Sequence, residues 1–246
     1  MSAWSSQTIA ILPCLNEART IATLVRELVR HVATVLVVDD GSRDTTGIEA
    51  RAAGAEVLRH PLPRGKGCAL ATGWDAATRR GAEWVLLLDG DGQHAPEDAP
   101  LFFAAAGLGP QPGAVRLVIG NRMAEPHSMP WLRRNTNLWL SRRLTALAGV
   151  PLPDSQCGYR FAHLPSLLAC NLRTGRFEIE SEMAVAFARA GHRISSVPIA
   201  ARYGLECSKI NPWRDTVRWW RWYRAAVKRL GPAPTPARLG APAVVS

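Results

Sequence analysis

Between residues 8 and 89 short apolar runs alternate with helical segments, and this alternation constrains the fold more than any other feature. The runs are TIAIL (8–12), TVLVV (34–38), AEVLRH (55–60) and WVLLLD (84–89). Runs this short and this rich in β-branched residues read as strands buried on both faces. Between the first two, Ile21, Leu24, Val25, Leu28, Val29 and Val32 recur with the spacing of one helical face. Segments 45–53 and 69–80 are helical in character, and Ser42 or Asp44 can cap the first of them. Such alternation builds an α/β fold, an open and mostly parallel sheet flanked by helices. Ligands of these sheets bind beyond the carboxyl ends of the strands. Asp39, Asp40, Asp89 and Asp91 all fall at expected strand ends, which locates a site from topology alone.

The second half is less regular. Residues 107–113 read as a loop and 116–122 as a strand. Helices are expected over 135–150 and over 177–191, the latter stopped by Gly191. Residues 194–203 read as a strand with an edge proline. A further helix is expected over 212–230. It places Trp213, Val217, Trp220, Tyr223, Val227 and Leu230 on one stripe and Arg214, Arg218, Arg221, Lys228 and Arg229 on another. An aromatic face beside a basic one suits a membrane interface, and it equally suits packing on the domain. The expected division is a catalytic domain over 1–210, this amphipathic helix over 211–231, and a disordered Pro/Ala-rich tail over 232–246.

The chain has 246 residues and a formal charge of +10, from 30 Lys+Arg against 20 Asp+Glu. That length suits one α/β domain. The basic balance admits nucleic acid, anionic lipid or phosphorylated substrates as partners. Five cysteines without a C-x-x-C spacing suggest neither a disulfide framework nor a zinc site. The opening MSAWSSQT lacks a signal-peptide pattern, and no apolar run approaches the roughly 20 residues needed to span a bilayer. A cytoplasmic protein, peripheral on the cytoplasmic face of the membrane, is expected.

Three segments carry chemistry. In Asp89-Gly90-Asp91-Gly92-Gln93, alternate residues of an extended chain face one way, so three oxygen-bearing side chains can converge on a hard cation. Mg²⁺ favours one or two carboxylates plus substrate phosphates. Gly90 and Gly92 leave room for a diphosphate to approach the backbone. Alone, the segment also fits a polar turn. Val38-Asp39-Asp40-Gly41-Ser42 offers strand-end carboxylates for a nucleobase or ribose, and also fits a helix cap. Arg64-Gly65-Lys66-Gly67 offers backbone amides and cations to phosphate, without P-loop spacing.

Together with Pro13-Cys14-Leu15-Asn16-Glu17, and ending in His94, these segments occur in the order and at the spacings of the family 2 inverting glycosyltransferases. The chain most resembles their dolichol- and polyprenyl-phosphate mannosyl- or glucosyltransferase branch. The resemblance is tightest over 8–95 and extends to about 210 through Gly120-Asn121-Arg122, Asp154-Ser155-Gln156-Cys157-Gly158-Tyr159-Arg160-Phe161, Phe177-Glu178-Ile179-Glu180, Arg202-Tyr203-Gly204 and Ser208-Lys209-Ile210. It implies the GT-A fold and transfer of a hexose from a nucleotide sugar, GDP-mannose or UDP-glucose, to a polyprenyl phosphate. It implies that Pro13, Leu15, Asn16, Glu17, Asp39, Asp40, Lys66, Asp89, Gly90 and Asp91 bind the donor, and that Asp89, Asp91 and Gln93 hold Mg²⁺ or Mn²⁺. Arg122, Arg202, Ser208 and Lys209 are implied to bind donor or acceptor phosphate, with Asp91, Arg122 and Asp154 at the chemistry. Asp154 would orient the acceptor or take its proton.

Relatives with this activity often carry C-terminal membrane helices, so the 212–230 helix or a separate membrane protein is the expected anchor. A saccharide or other hydroxyl acceptor is the alternative within the same fold. A sugar nucleotidyltransferase is disfavoured, because no Gly-rich basic loop follows the first run. A basic nucleic-acid-binding protein fits the charge and the Trp/Arg stretch, but not the acidic strand ends, so no nucleic acid is expected.

Overall fold

The computed structural model describes residues 6–107, 114–124, 129–200 and 212–233, without the side chains of 212 and 213. A seven-stranded sheet forms the centre, in the order β3-β2-β1-β4-β6-β5-β7. The strands are β1 (Thr8–Cys14), β2 (Thr34–Asp39), β3 (Glu56–Arg59), β4 (Trp84–Leu87), β5 (Val115–Asn121), β6 (Arg160–His163) and β7 (Arg193–Pro198). The helices are α1 (Ile21–Leu28), α2 (Thr46–Ala52), α3 (Lys66–Arg79), α4 (Ala99–Ala106), α5 (Trp131–Ala148), α6 (Leu164–Ala169), α7 (Glu178–Arg189) and α8 (Pro212–Leu230). β6 alone runs against its neighbours, antiparallel to both β4 and β5.

Burial on both faces explains the near-continuous apolar runs. Ala10, Ile11 and Leu12 in β1, Leu36, Val37 and Val38 in β2, and Val85 and Leu86 in β4 have no exposed surface. Helix α1 buries Ile21, Leu24, Val25 and Leu28, the stripe expected from its spacing. One strand and three helices differ from expectation, α4 among them because residues 99–106 had no helical reading. β6 and α6 were not expected at all, since Arg160 to Ala169 shows neither alternation nor a helical stripe. α3 begins at Lys66, inside the segment read as a basic loop.

Strand order sets the position of the site. The chain leaves β1 toward β2 on one side and returns to β4 on the other, so the switch point lies between β1 and β4. β1 and β4 pair through Ile11 and Leu87. Two residues further on, Pro13 and Asp89 flank the crevice. Leu87 also pairs with Arg160 across the antiparallel β4–β6 ladder. Continuing that register sets Asp89 opposite Gly158.

The amphipathic helix is part of the same body. Trp219 is 6% exposed and its Nε1 donates to Ser181 Oγ on α7 at 2.9 Å. Arg189 of α7 donates to the carbonyls of Leu230, Gly231 and Pro232, closing the end of α8. The packed face is therefore centred on Trp219 and Ala226, while Val217 and Val227 of the expected stripe are 47% and 41% exposed. Helical spacing alone does not say which edge of a broad aromatic face meets the core.

At the start of α6, His163 Nδ1 accepts from the Ser166 amide and lies 2.9 Å from Ser166 Oγ. Burial, with the Arg116 cation nearby, pushes this imidazole down to about 4. Glu83 Oε1, 3.9 Å from Nε2 and half exposed, opposes this weakly. The folded value lies below the unfolded value of about 6.5. Stability is thus fully present above that pH and falls as pH drops toward 4. His163→Asn keeps a capping acceptor that does not titrate. Thermal melting between neutral pH and pH of about 4.5 should fall less steeply in the variant. Parallel wild-type and variant curves would contradict the assignment.

Candidate active site

At the carboxyl ends of β1, β2, β4 and β5 the chain gathers its acidic and basic side chains. The 15–20 segment is laced to 42–46: Asn16 N donates to Ser42 Oγ at 2.9 Å, and Glu17 N to Thr46 Oγ1 at 2.7 Å. Arg43 N returns a bond to Asn16 Oδ1 at 2.8 Å. Asn16 adopts a left-handed backbone, φ 53°, which asparagine tolerates better than most side chains. Pro13, Leu15 and Glu17 are left half-buried along the crevice.

Asp39 and Asp40 differ from expectation. Asp39 is fully buried and accepts from Ser42 N at 2.8 Å, with the Arg59 guanidinium 3.4 Å away. It offers no surface to a ligand and acts as a turn anchor. Asp40, 4% exposed, accepts from Arg64 N at 2.8 Å and Gly65 N at 2.7 Å, and lies 2.7 Å from His60 Nδ1. Two amides of the segment expected to bind phosphate, those of Arg64 and Gly65, are thus occupied by an internal carboxylate. Asp40 fixes the entry to α3.

The 89–93 segment turns instead of extending. Gly92 has φ 78°, and the alternate-residue geometry expected of a strand does not apply. Asp91 accepts from Gln93 N at 3.0 Å and from Gln93 Nε2 at 2.7 Å, so Gln93 presents a donor to its neighbour. Gln93 therefore steadies Asp91 here, and its carboxamide is not aligned beside the two aspartates as a third ligand. Gly90 is buried, and a Cβ there would lie 2.5 Å from Cys14 Sγ. Cys14 and Glu17 fill the side-chain position at Gly90, which explains why no larger residue fits there.

Asp89 is directed to the cations. Lys66 Nζ donates to Asp89 Oδ1 at 2.5 Å and to Glu180 Oε1, on α7, at 2.5 Å. Burial raises the Asp89 pKa, but the adjacent Lys66 outweighs it and holds the carboxyl below its usual range. Burial alone would lower Lys66, and the two carboxylates raise it instead. A Cβ on Gly158 would lie 2.1 Å from Asp89 Oδ2, so the carboxylate rests directly on that backbone.

Arg122, at the end of β5, is 9% exposed and clamped by Asp154. Arg122 Nε donates to Oδ2 at 2.7 Å and its terminal nitrogen to Oδ1 at 2.9 Å, a planar two-bond grip. The Arg122 amide adds 3.0 Å to Oδ2, and Asn137 Nδ2 adds 2.6 Å to Oδ1. Burial raises the Asp154 pKa, but these bonds and the Arg122 charge lower it further than that. A carboxylate with four donors and 1% exposure is a poor proton acceptor, so its part is to aim Arg122. Cys157, in the same segment, is pushed up to about 12 by burial and stays a neutral thiol.

Several contributors escaped sequence reading. Asn137 and Ser141 of α5 line up with buried Leu144 and Ala148, and Ser141 Oγ takes the Ser155 amide at 3.0 Å. Their i, i+4, i+7, i+11 spacing was the available signal. Arg160 is buried and donates to the carbonyls of Cys157, Glu180 and Ser155, tying β6 to α7. His94 is buried beside Tyr159 and is pushed down to about 4 by burial and by Arg122. Arg202, Ser208 and Lys209 lie outside the described residues.

A mostly parallel sheet with carboxylates and clamped cations at its switch point is the framework of a nucleotide-handling transferase. Residues 9–152 match the model of the glycosyl transferase family 2. The chain belongs to that family. A UDP-N-acetylglucosamine–dolichyl-phosphate N-acetylglucosaminyltransferase of Methanococcus voltae is 30% identical over 219 residues, covering 78% of this chain and 84% of the relative. An undecaprenyl-phosphate mannosyltransferase of Micrococcus luteus is 30% identical over 206 residues, covering 78% and 82%. Among solved structures, glucosyl-3-phosphoglycerate synthase of Mycobacterium tuberculosis, with Mn²⁺, UDP and glucosyl-3-phosphoglycerate, superposes with TM-score 0.64. It is 23% identical and spans 96% of this chain and 81% of its own, which fixes the fold as GT-A.

Asp154→Asn should leave Arg122 with a neutral partner in a dry site. Denaturant unfolding is expected to show a loss of roughly 3 kcal/mol. Wild-type stability in that variant would show that the clamp does not hold the end of β5.

Proposed function

We propose that the protein moves a hexose from a nucleotide sugar to the phosphate of a polyprenyl lipid, with a divalent cation at Asp89 and Asp91. The observation that carries the reading is the pairing at one crevice of a carboxylate turn after β4 with Arg122 aimed by Asp154. The names of the relatives, a dolichyl-phosphate and an undecaprenyl-phosphate transferase, favour the lipid phosphate. GDP-mannose and UDP-glucose are the donors we would test first.

The residues suit a hard cation. Among the described residues no three His, Cys, Asp or Glu side chains form a cage. Mg²⁺ and Mn²⁺ do not need one, because carboxylates plus diphosphate oxygens and water complete their shell. Asp89 already binds a cation, the Lys66 ammonium, at 2.5 Å. A bound divalent ion would supply charge stabilisation for the departing nucleoside diphosphate. The chain's own residues do the rest. Pro13, Leu15, Asn16 and Glu17 wall the base and ribose. Arg122 meets phosphate oxygens as negative charge develops, and Asp154 keeps its fork from swinging away. A lipid phosphate is already an anion and needs alignment more than deprotonation, which fits a site whose Asp154 is fully engaged. Arg202, Ser208 and Lys209 are further phosphate ligands on this reading.

No helix among the described residues is long and apolar enough to cross a membrane. A surface approach to the lipid is favoured by exposed Trp131 and Leu132, 74% and 70% accessible, at the start of α5. Trp139 of α5 stacks with Trp220 of α8 at 5.8 Å, and Arg143 lies over both rings. Indole rings and arginines side by side suit the headgroup level of an anionic bilayer on the cytoplasmic face. A membrane-protein partner would reinforce that contact.

Radiolabelled nucleotide sugar, Mn²⁺ and undecaprenyl phosphate in detergent should give label that partitions into organic solvent. Asp91→Ala should reduce this by more than about a hundredfold while the protein melts normally. Label staying in a water-soluble product made from 3-phosphoglycerate or a saccharide would move the acceptor assignment. Near-normal transfer by Asp91→Ala would remove the cation from it. Replacing Trp131 and Leu132 with serine should lower flotation with vesicles containing phosphatidylglycerol, and undiminished flotation would remove that face from consideration.

A further inference from the structure

One ammonium serves two carboxylates beneath the candidate cation site. Lys66 Nζ lies 2.5 Å from Asp89 Oδ1 and 2.5 Å from Glu180 Oε1, with side-chain exposures of 12%, 26% and 9% respectively. The other nearby cations are committed elsewhere. Arg160 donates to three backbone carbonyls, and Arg122 is gripped by Asp154. Lys66 is therefore the cation bonded directly to Asp89 in this arrangement, and Arg122 adds to it through its charge. An ammonium and a divalent ion drawn to the same carboxylate repel each other strongly where water is scarce, so binding of the ion disfavours the ammonium beside it. Removing Lys66 from Asp89 without a second partner would strand a buried ammonium. Glu180 is that second partner. Lys66, Asp89, Arg160 and Glu180 all border one small cavity, so the ammonium reaches Glu180 without leaving the site.

We infer that Lys66 is a resident counter-cation which a divalent ion displaces from Asp89 onto Glu180, so that Glu180 sets how readily the site accepts its ion. The inference rests on the cation reading of Asp89 and Asp91 given above. It assigns Lys66 and Glu180 as positioning residues that tune the site, and it explains why a side chain on α7 shares an ammonium with the carboxylate that follows β4. A purely structural salt bridge would instead hold Asp89 in place, and its loss would weaken the ion.

Mn²⁺ binding by the full chain, in the presence of UDP, can be read from the electron paramagnetic resonance of the free ion. Lys66→Met should bind Mn²⁺ roughly tenfold more tightly, because one repelling charge is gone. Glu180→Gln should bind it roughly tenfold less tightly, because Lys66 then has only Asp89. The double variant should behave as Lys66→Met alone, since Glu180 acts only through the ammonium. Unchanged or weaker binding in Lys66→Met would overturn the exchange, as would an equal loss from Glu180→Gln in both backgrounds. Lys66→Gln, which keeps a hydrogen-bond donor without charge, gives the same test if the methionine variant fails to fold. Asp91→Asn separates the two claims. Mn²⁺ binding that survives it refutes the cation reading itself, whereas binding that it abolishes leaves the Lys66 result to decide the exchange.

Discussion

The site depends on unlike charges held together in a nearly dry place. Lys66 between Asp89 and Glu180, and Arg122 in the grip of Asp154, bring three carboxylates and two cations beneath the ends of β4 and β5. Charges removed from water are costly unless they are paired and hydrogen-bonded, and here each described group has partners within bonding distance. Arg160 completes the arrangement by filling three backbone acceptors around it. The Arg122–Asp154 grip is the rigid part of this cluster, because loosening it would strand a buried charge. Rigidity is what a transferase needs where charge develops during reaction, since preorganised dipoles and charges need not rearrange.

Strand topology makes that cluster possible. The switch between β1 and β4 opens the crevice, and the antiparallel strand β6 then returns beside β4. Without that reversal Gly158 would not lie against the Asp89 carboxylate, and Arg160 would not reach α7. The same segment supplies Asp154, which crosses to the end of β5. One short strand thus couples the donor-side turn to the cation expected to meet phosphate. Helix α8 fastens the outer side of α7 through Trp219 and Ser181, so Glu180 is held from both directions.

Much of this was legible in the residues. The apolar runs of β1, β2 and β4 announced a sheet buried on both faces, and the carboxylates at their ends announced a site. What periodicity cannot report is where a polar side chain turns once the backbone is placed. Asp39 and Asp40 sit at strand ends as expected, yet loop amides reach them before a ligand does. Gly90 reads as room beside the backbone, and the fold adds a reason that the sequence hides, the Cys14 side chain packed where a Cβ would stand. Asp154 reads as an orienting group or a base, and only the fold reveals Arg122 and Asn137 closing around it. β6 was illegible because four residues flanked by a loop and a short helix carry no period. Glu180 pairs with Lys66 across 114 positions, a separation no local pattern encodes.

A single crystallographic measurement addresses the central claim most directly. Anomalous scattering from crystals soaked with Mn²⁺ and UDP should show one strong peak against the carboxylates of Asp89 and Asp91, with a diphosphate on its far side. A peak elsewhere, or a UDP diphosphate bound with no ion beside these two carboxylates, would contradict the account.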